Sequence, residues 1–165
     1  MYKRQELDAL AHQKEHGIEV QLPILARLAP QTEIVAIAMQ GGTIERLTAA
    51  AKALADWLKQ QDDPPLLVIS SDMNHYADDA ENRRRDRLAL DAMKTGDAKR
   101  LLDTCESENI SMCGQLPAAL VLLTLKSMGR EIGKDISYDE IAYATSADAG
   151  ASHERVVGYA GVLLK

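Results

Sequence analysis

Short apolar runs that alternate with stretches of helical periodicity constrain this chain more than any other feature. The run from Glu33 to Met39 is apolar from Ile34 onward, and the run Leu66–Ile69 is apolar throughout. Runs of this length without polar alternation are typical of strands buried on both faces of a sheet. Between them, residues 43–60 place apolar side chains at helical spacing. The sequence therefore predicts the α/β class, as a three-layer αβα sandwich with a mostly parallel or mixed sheet.

The remaining segments continue this alternation. Apolar period, caps and breakers predict further helices over 6–16, Ile18 to Leu28, Asp78 to Lys94, Asp97 to Cys105 and Gly114 to Met128, and strands over Tyr138 to Ala144 and Val156 to Leu164. The segment from Asp78 is predicted as a charged surface helix, whereas the almost wholly apolar segment from Gly114 is predicted as a central helix. Because no linker or repeat divides the sequence, a single domain over residues 1–165 is predicted.

Composition argues against several classes of function. The 165 residues include 19 Lys and Arg against 25 Asp and Glu, which gives a net charge of −6 at pH 7. Such a chain lacks the basic surface that nucleic acids and anionic membranes need. The longest nearly apolar run, Leu116 to Leu125, is too short to span a bilayer. The two cysteines form no CxxC pair or disulfide framework, which favours a reducing, cytoplasmic environment.

Polar residues follow the second predicted strand, in the position where α/β sheets bind their ligands. The segment Ser70–Tyr76 contains Asp72 and His75, three residues apart. A carboxylate that orients an imidazole is a common arrangement for general acid/base catalysis. The alternative is a loop stabilised by Asx-type hydrogen bonds, with His75 at the surface.

A cysteine lies at the start of the predicted central helix. At a helix N-terminus, the helix dipole favours the Cys113 thiolate and hence nucleophilicity or metal ligation. The alternative is a small hydrophobic side chain packed beside the helix. A similar choice applies to Thr145–Gly150, which follows a predicted strand and either lines the same site or is an ordinary connection.

A third candidate site lies near the start of the chain. His12, Glu15 and His16 match the H-x-x-E-H string of inverted zinc peptidases. On a helix, the two histidines would share one face and reach one zinc ion, with Glu15 as the base. The string is short and no third ligand can be identified in the sequence, so a zinc metallopeptidase is the third hypothesis.

Four motifs, read in order, resemble those of one family. They are Glu15–Pro23, Ser70–Tyr76, Cys113–Pro117, and Tyr143–Ser146 followed by Val157–Ala160. In this order and at roughly this spacing, they resemble the Memo family, which is called AmmeMemoRadiSam system protein B in bacteria and archaea. Memo proteins are similar in fold to the catalytic subunit of class III extradiol dioxygenases, which use non-haem iron.

The resemblance implies roles for individual residues. Cys113 occupies the position of a metal ligand, where the dioxygenases have a carboxylate, and His75 matches their acid/base histidine with Asp72 beside it. Glu15 and His16 belong to a family motif that lines or supports the cavity. Because sulfur is softer than oxygen, a thiolate favours copper, zinc or thiolate-bound iron. The resemblance thus implies a redox-metal, dioxygenase-like site that takes iron or copper.

The resemblance also implies that this site is incomplete. The family's other two metal ligands are histidines in segments resembling A-P-H-A-G-Y and S-x-H-H, and neither segment occurs in this sequence. A truncated form with weak metal binding is therefore expected. Uncovered sheet edge and helix surface would favour a homo-oligomer, and other proteins of the AmmeMemoRadiSam system are the expected partners. The alternative function is a non-catalytic scaffold that binds proteins or peptides in the same cleft.

Overall fold

The computed structural model describes residues 15–39 and 41–165 of the chain. The chain divides into two compact units, Met1–Gln40 and Gly41–Lys165. The single domain over the whole chain stays a prediction. Within the part of the chain that the structure describes, no helix combines the length and the apolar character needed to cross a bilayer.

The described part of the first unit contains one short α-helix. A 3₁₀ turn over Glu19–Gln21 leads into helix α1, Leu22–Leu28. Pro23 falls in the first turn of α1, where a missing N–H breaks no helical hydrogen bond, so the proline is compatible with the predicted second helix. The predicted first helix, 6–16, lies outside the described residues except for its last two, which are not helical.

Four helices, all predicted from the sequence, dominate the second unit. They are α2 (Ile44–Leu58), α3 (Asp79–Lys94), α4 (Ala98–Ser107) and α5 (Gln115–Ser127). The first three begin after a capping residue whose side chain accepts a backbone N–H from the first turn of the helix. The capping residues are Thr43, Asp78 and Asp97 respectively. Helix α5 packs against both α2 and α4, and α4 packs against α3. The side chains of α5 from Gln115 to Leu125 are all buried or half-buried, which confirms the prediction of a central apolar helix.

The described strands form one antiparallel sheet. Strands β1 (His75–Ala77), β2 (Tyr138–Thr145) and β3 (Val156–Leu164) lie in the order β1-β3-β2. Helix α3 contacts all three strands, so the predicted α/β class is confirmed. The sheet differs from the mostly parallel or mixed one predicted, because residues 146–155 between β2 and β3 are too few for a helical crossover.

Two apolar runs predicted as strands are not strands in the structure. Neither Glu33 to Met39 nor Leu66–Ile69 pairs with any described strand. Their side chains are largely in solvent, with Val35 84% and Leu66 80% exposed. The prediction was wrong here because a buried strand requires neighbours on both sides, and a local sequence pattern does not supply them.

Candidate functional site

Three of the predicted site residues meet at one carboxylate oxygen. The Cys113 thiol donates a hydrogen bond to Asp72 Oδ1 at 2.8 Å, and His75 Nε2 lies 2.8 Å from the same oxygen. Asp72 lies on the loop that leads into β1, and Cys113 lies on the loop before α5. Two segments that are 41 residues apart in sequence therefore bring a thiol, a carboxylate and an imidazole to one point.

Hydrogen bonds through Ser71 hold the two loops together. The Gly114 N–H donates to Ser71 Oγ at 2.8 Å, and Ser71 Oγ donates to the Asp72 carbonyl oxygen at 2.5 Å. A Cβ at position 114 would lie only 2.4 Å from Ser71 Cβ. A glycine is therefore required for the close approach that carries Cys113 to Asp72.

The surroundings of Cys113 favour the thiol over the thiolate. Burial raises the pKa of the Cys113 thiol, and its hydrogen bond to Asp72 raises that pKa further. Burial also acts to raise the pKa of Asp72, but the Cys113 hydrogen bond and the nearby His75 outweigh burial and hold that pKa below its ordinary value. Burial and the neighbouring carboxylate thus act against the helix dipole, and the predicted nucleophilic or metal-ligand role of Cys113 stays a prediction.

His75 presents a buried nitrogen without a hydrogen bond. Among the described residues, Nε2 of His75 has no hydrogen-bond partner. Its separation of 2.8 Å from Asp72 Oδ1 is within ion-pair distance. The next residue, Tyr76, has a φ of 67°, a left-handed conformation that costs on the order of 1–3 kcal/mol in a residue with a side chain. An unsatisfied nitrogen and a strained backbone thus lie side by side at this site.

Glu15 and His16 make local contacts within the first unit. The Glu15 carboxylate accepts two backbone N–H groups, at 2.7 and 2.8 Å, in the turn before α1. His16 Nδ1 lies 3.0 Å from Glu19 Oε2, and the His16 side chain is 81% exposed. The cavity role of both residues stays a prediction. His12, the remaining histidine of the zinc-peptidase string, lies outside the described residues.

An open groove of about 330 Å³ adjoins the cluster of Asp72, His75 and Cys113. Ser71, whose Oγ lies 3.6 Å from Cys113 Sγ, forms part of its wall. The rest of the lining comes from β2 and β3 and consists of Ala142, Tyr143, Ala144, Tyr159, Ala160 and Gly161. Small side chains between two tyrosines make the groove largely apolar.

Comparison with known sequences identifies the family. The family described as Memo-like protein matches residues 1–163. The chain belongs to the Memo family. The resemblance that the four motifs indicated is thereby confirmed.

Curated Memo-family relatives are considerably longer than this chain. The MEMO1 family protein of Aquifex aeolicus is 33% identical over 157 residues, which cover 94% of this chain and 56% of the relative. The MEMO1 family protein of Methanocaldococcus jannaschii is 32% identical over 164 residues, which cover 97% of this chain and 55% of the relative. That of Methanopyrus kandleri is 29% identical over 159 residues, which cover 96% and 54%. The chain spans about half the length of the curated relatives it matches.

The described donor groups of this Memo-family chain do not complete a metal site by themselves. In residues 15–39 and 41–165, no group of three or more His, Cys, Asp or Glu side chains is arranged to hold a metal ion. Cys113 and Asp72 are hydrogen-bonded to each other, and His75 offers one nitrogen. Because a stable site needs three or four ligands, the described residues fit only part of the metal site that the family resemblance implies.

Sequence analysis missed the buried polar residues behind the site of this Memo-family chain. Asn82 and Asp86 belong to α3, which was predicted as a charged surface helix, yet both are fully buried. They lie four residues apart and therefore on one face of the helix, which is the signal that could have found them. Ser111, which belongs to the candidate segment before the central helix, was given no role, although its Oγ accepts the His75 backbone N–H at 2.8 Å.

Proposed function

We propose that this chain supplies part of a non-haem redox-metal site with dioxygenase-like chemistry, in which Cys113 is a metal ligand. The observation that supports the proposal is the meeting of Cys113 Sγ and His75 Nε2 at Asp72 Oδ1, each at 2.8 Å. A sulfur ligand suits copper or thiolate-bound iron. Because no three-donor cluster exists among the described residues, binding by the chain alone is weak in this proposal.

His75 and Asp72 are the acid/base pair of the proposed site. The His75 Nε2 atom is buried 2.8 Å from Asp72 Oδ1 and has no hydrogen-bond partner among the described residues, which supports His75 as the proton-transferring group. The adjacent Asp72 carboxylate, 2.8 Å from Nε2, orients the imidazole ring. An imidazole changes charge near neutral pH, which suits proton transfer under physiological conditions.

The remaining metal ligands come, in this proposal, from residues that the structure does not describe or from another chain. A second copy of this chain and other AmmeMemoRadiSam system proteins are the candidate partners. We also propose a cytoplasmic location, because both Cys105 and Cys113 are free thiols and a reducing compartment preserves them.

Metal titration tests the proposed ligand. Fe(II), under anaerobic conditions, and Cu(I) are titrated calorimetrically into the wild-type chain, Cys113→Ala and Cys105→Ala. Weak binding is expected in the wild type, with loss in Cys113→Ala and no change in Cys105→Ala, because Cys105 lies within α4 and is only 2% exposed. Tight binding that survives Cys113→Ala would refute the assignment of Cys113 as a ligand.

A non-catalytic scaffold that binds proteins or peptides is the second candidate function. The open, largely apolar groove of about 330 Å³ beside Ser71 favours it. A scaffold tolerates the loss of Cys113 and His75, whereas a metal site does not, so binding of a ligand unchanged by both alanine variants would favour the scaffold. The zinc-peptidase hypothesis depends on His12, outside the described residues, and stays a prediction.

A further inference from the structure

A buried carboxylate anchors the loop that carries Asp72 and His75. Asp86 is fully buried and accepts three hydrogen bonds: from the Asn74 backbone N–H at 2.7 Å, from Asn82 Nδ2 at 3.0 Å and from Tyr143 Oη at 2.7 Å. A buried carboxylate is tolerated only when donors satisfy its oxygens. Helix α3 and strand β2 thus provide a fixed support for the backbone just before His75.

The Asn74 side chain extends this support to the loop that carries Cys113. Its Nδ2 donates to Asn82 Oδ1 at 2.7 Å, and its Oδ1 accepts from the Ser111 N–H at 3.0 Å and from Ser111 Oγ at 3.3 Å. Ser111 lies two residues before Cys113, and its Oγ also accepts the backbone N–H of His75 at 2.8 Å. Asn74, itself fully buried, therefore connects the segment of Asp72 and His75 to the segment of Cys113.

Strand β3 completes the support through Gly158. The Gly158 N–H donates to the Asn74 carbonyl oxygen at 3.0 Å, and the Gly158 carbonyl accepts the Met73 N–H at 2.8 Å. A Cβ at position 158 would lie 1.8 Å from Asp86 Oδ2. Only a glycine therefore lets β3 pass against the buried carboxylate while it bonds the loop on both sides of Asn74.

We propose that Asn74, anchored by Asp86, is the positioning residue of this site: it sets the contact between the Cys113 thiol and the Asp72 carboxylate. The support is the continuous series of hydrogen bonds from Asp86 through Asn74 to Ser111, which flanks that contact on both loops. The inference deepens the proposed function, on which it rests for the chemistry served. Its test uses no metal and is therefore independent of the metal titration.

The test measures the alkylation rate of Cys113 in Asn74→Ala by iodoacetamide and mass spectrometry, at one pH and in a metal chelator. In the wild type, the thiol donates to a carboxylate whose charge disfavours the reactive thiolate. Loss of the support loosens this contact, so Cys113 reacts faster by roughly threefold to tenfold, the factor expected for one hydrogen bond. Cys105, which is 2% exposed, reports general unfolding in the same sample and keeps its slow rate.

Three further variants make the result decisive. Ser111→Ala changes an exposed side chain and leaves the hydrogen bonds to Asp86 intact. This variant is expected to increase the alkylation rate of Cys113, as Asn74→Ala does. Tyr143→Phe removes an Asp86 donor but keeps both loop contacts of Asn74, so its Cys113 rate stays within about twofold of the wild type, less than the loss of one hydrogen bond would give. Asp72→Asn alone increases the alkylation rate of Cys113, and adding Asn74→Ala to this variant does not increase that rate further.

Two outcomes would overturn the assignment of Asn74. One is an unchanged Cys113 rate in both Asn74→Ala and Ser111→Ala. The other is a parallel increase at Cys105, which would assign Asn74 a general role in stability. If the alkylation rate increases at Cys113 but not at Cys105, and no metal binds to the wild type, the positioning role stands and the proposed metal function fails.

Discussion

Close approach at glycine decides the geometry of single residues around Asp72 and Asp86. Gly114 lets the Cys113 loop contact Ser71, and Gly158 lets β3 contact the buried Asp86 carboxylate. In both places the neighbouring atoms belong to a residue that holds the site together. At Gly114 and Gly158 the fold requires the absence of a side chain and not an unusual backbone torsion, because neither glycine has a positive φ.

Substitution at Gly158 tests this directly. Gly158→Ala places a methyl group on Asp86 Oδ2, so the free energy of unfolding is expected to fall by about 1–3 kcal/mol or more, as for overpacking in a core. Gly161→Ala on the same strand is the matched control, because the nearest atoms to its Cβ are 3.9 Å away. The control is expected to be neutral or stabilising by up to about 1 kcal/mol. Urea unfolding curves that show equal losses for the two variants would contradict the argument.

Among the helices and strands, those predicted correctly are the ones whose formation depends on local sequence pattern. Helices α2, α4 and α5 follow from apolar periodicity and capping residues, and β2 and β3 follow from runs bounded by turns. The run Leu66–Ile69 has the same local pattern as a strand, but none of the described strands pairs with it. Strand β1, with three residues, is too short to leave a pattern.

The chemically reactive residues of the candidate site were predictable from the sequence, whereas the residues that support them were not. Asp72, His75 and Cys113 were identified from their chemistry and from motif order, and the structure brings them together. Neither the buried Asn74 nor Asp86 was identified as a support, because hydrogen bonds between segments far apart in sequence depend on tertiary packing. The protonation of Cys113 also depends on a neighbour from another loop.

A carboxylate at the start of α3 ties that helix to the end of β2. Asp79 Oδ1 accepts from Thr145 Oγ1 at 2.6 Å and from Arg83 Nε at 3.1 Å, and His153 Nδ1 lies 3.5 Å from Asp79 Oδ2. The hydrogen bond from Thr145, and next that from Arg83, hold the pKa of Asp79 below its ordinary value. A carboxyl group with a lowered pKa in the folded state stabilises the fold above its unfolded pKa of about 3.9. That stabilisation is lost as the pH falls through the folded pKa.

Asp79→Asn is therefore expected to destabilise the chain more at pH 6 than at pH 3. Urea unfolding at both pH values measures the difference from the wild type. Asp56→Asn is the control, because Asp56 forms an exposed ion pair with Lys52 at 3.1 Å on α2, and such pairs contribute only about 0–1 kcal/mol. A loss in Asp79→Asn that is equal or greater at pH 3 would show that its contacts do not depend on the charge.

For the whole molecule, the main physical feature is uncovered apolar surface. Ile34, Val35 and Ile37 in the first unit, and Leu66 and Val68 in the second, are all exposed. They lie in the two apolar runs that no described strand pairs with. The chain also spans about half the length of the curated Memo-family relatives it matches. Exposed apolar segments with unpaired backbone are sites where another chain adds a strand.

We therefore expect the purified chain to self-associate through the run Leu66–Ile69, with an average mass by light scattering that increases with concentration. Leu66→Lys is expected to reduce this association, because a lysine in an unpaired segment opposes edge-to-edge pairing with another chain. Leu28→Lys is the matched control: Leu28 is 78% exposed and Leu66 is 80% exposed, but Leu28 lies in α1, whose backbone is bonded within the helix. A wild-type chain that stays monomeric at all concentrations would contradict this expectation, as would equal dissociation of the two lysine variants.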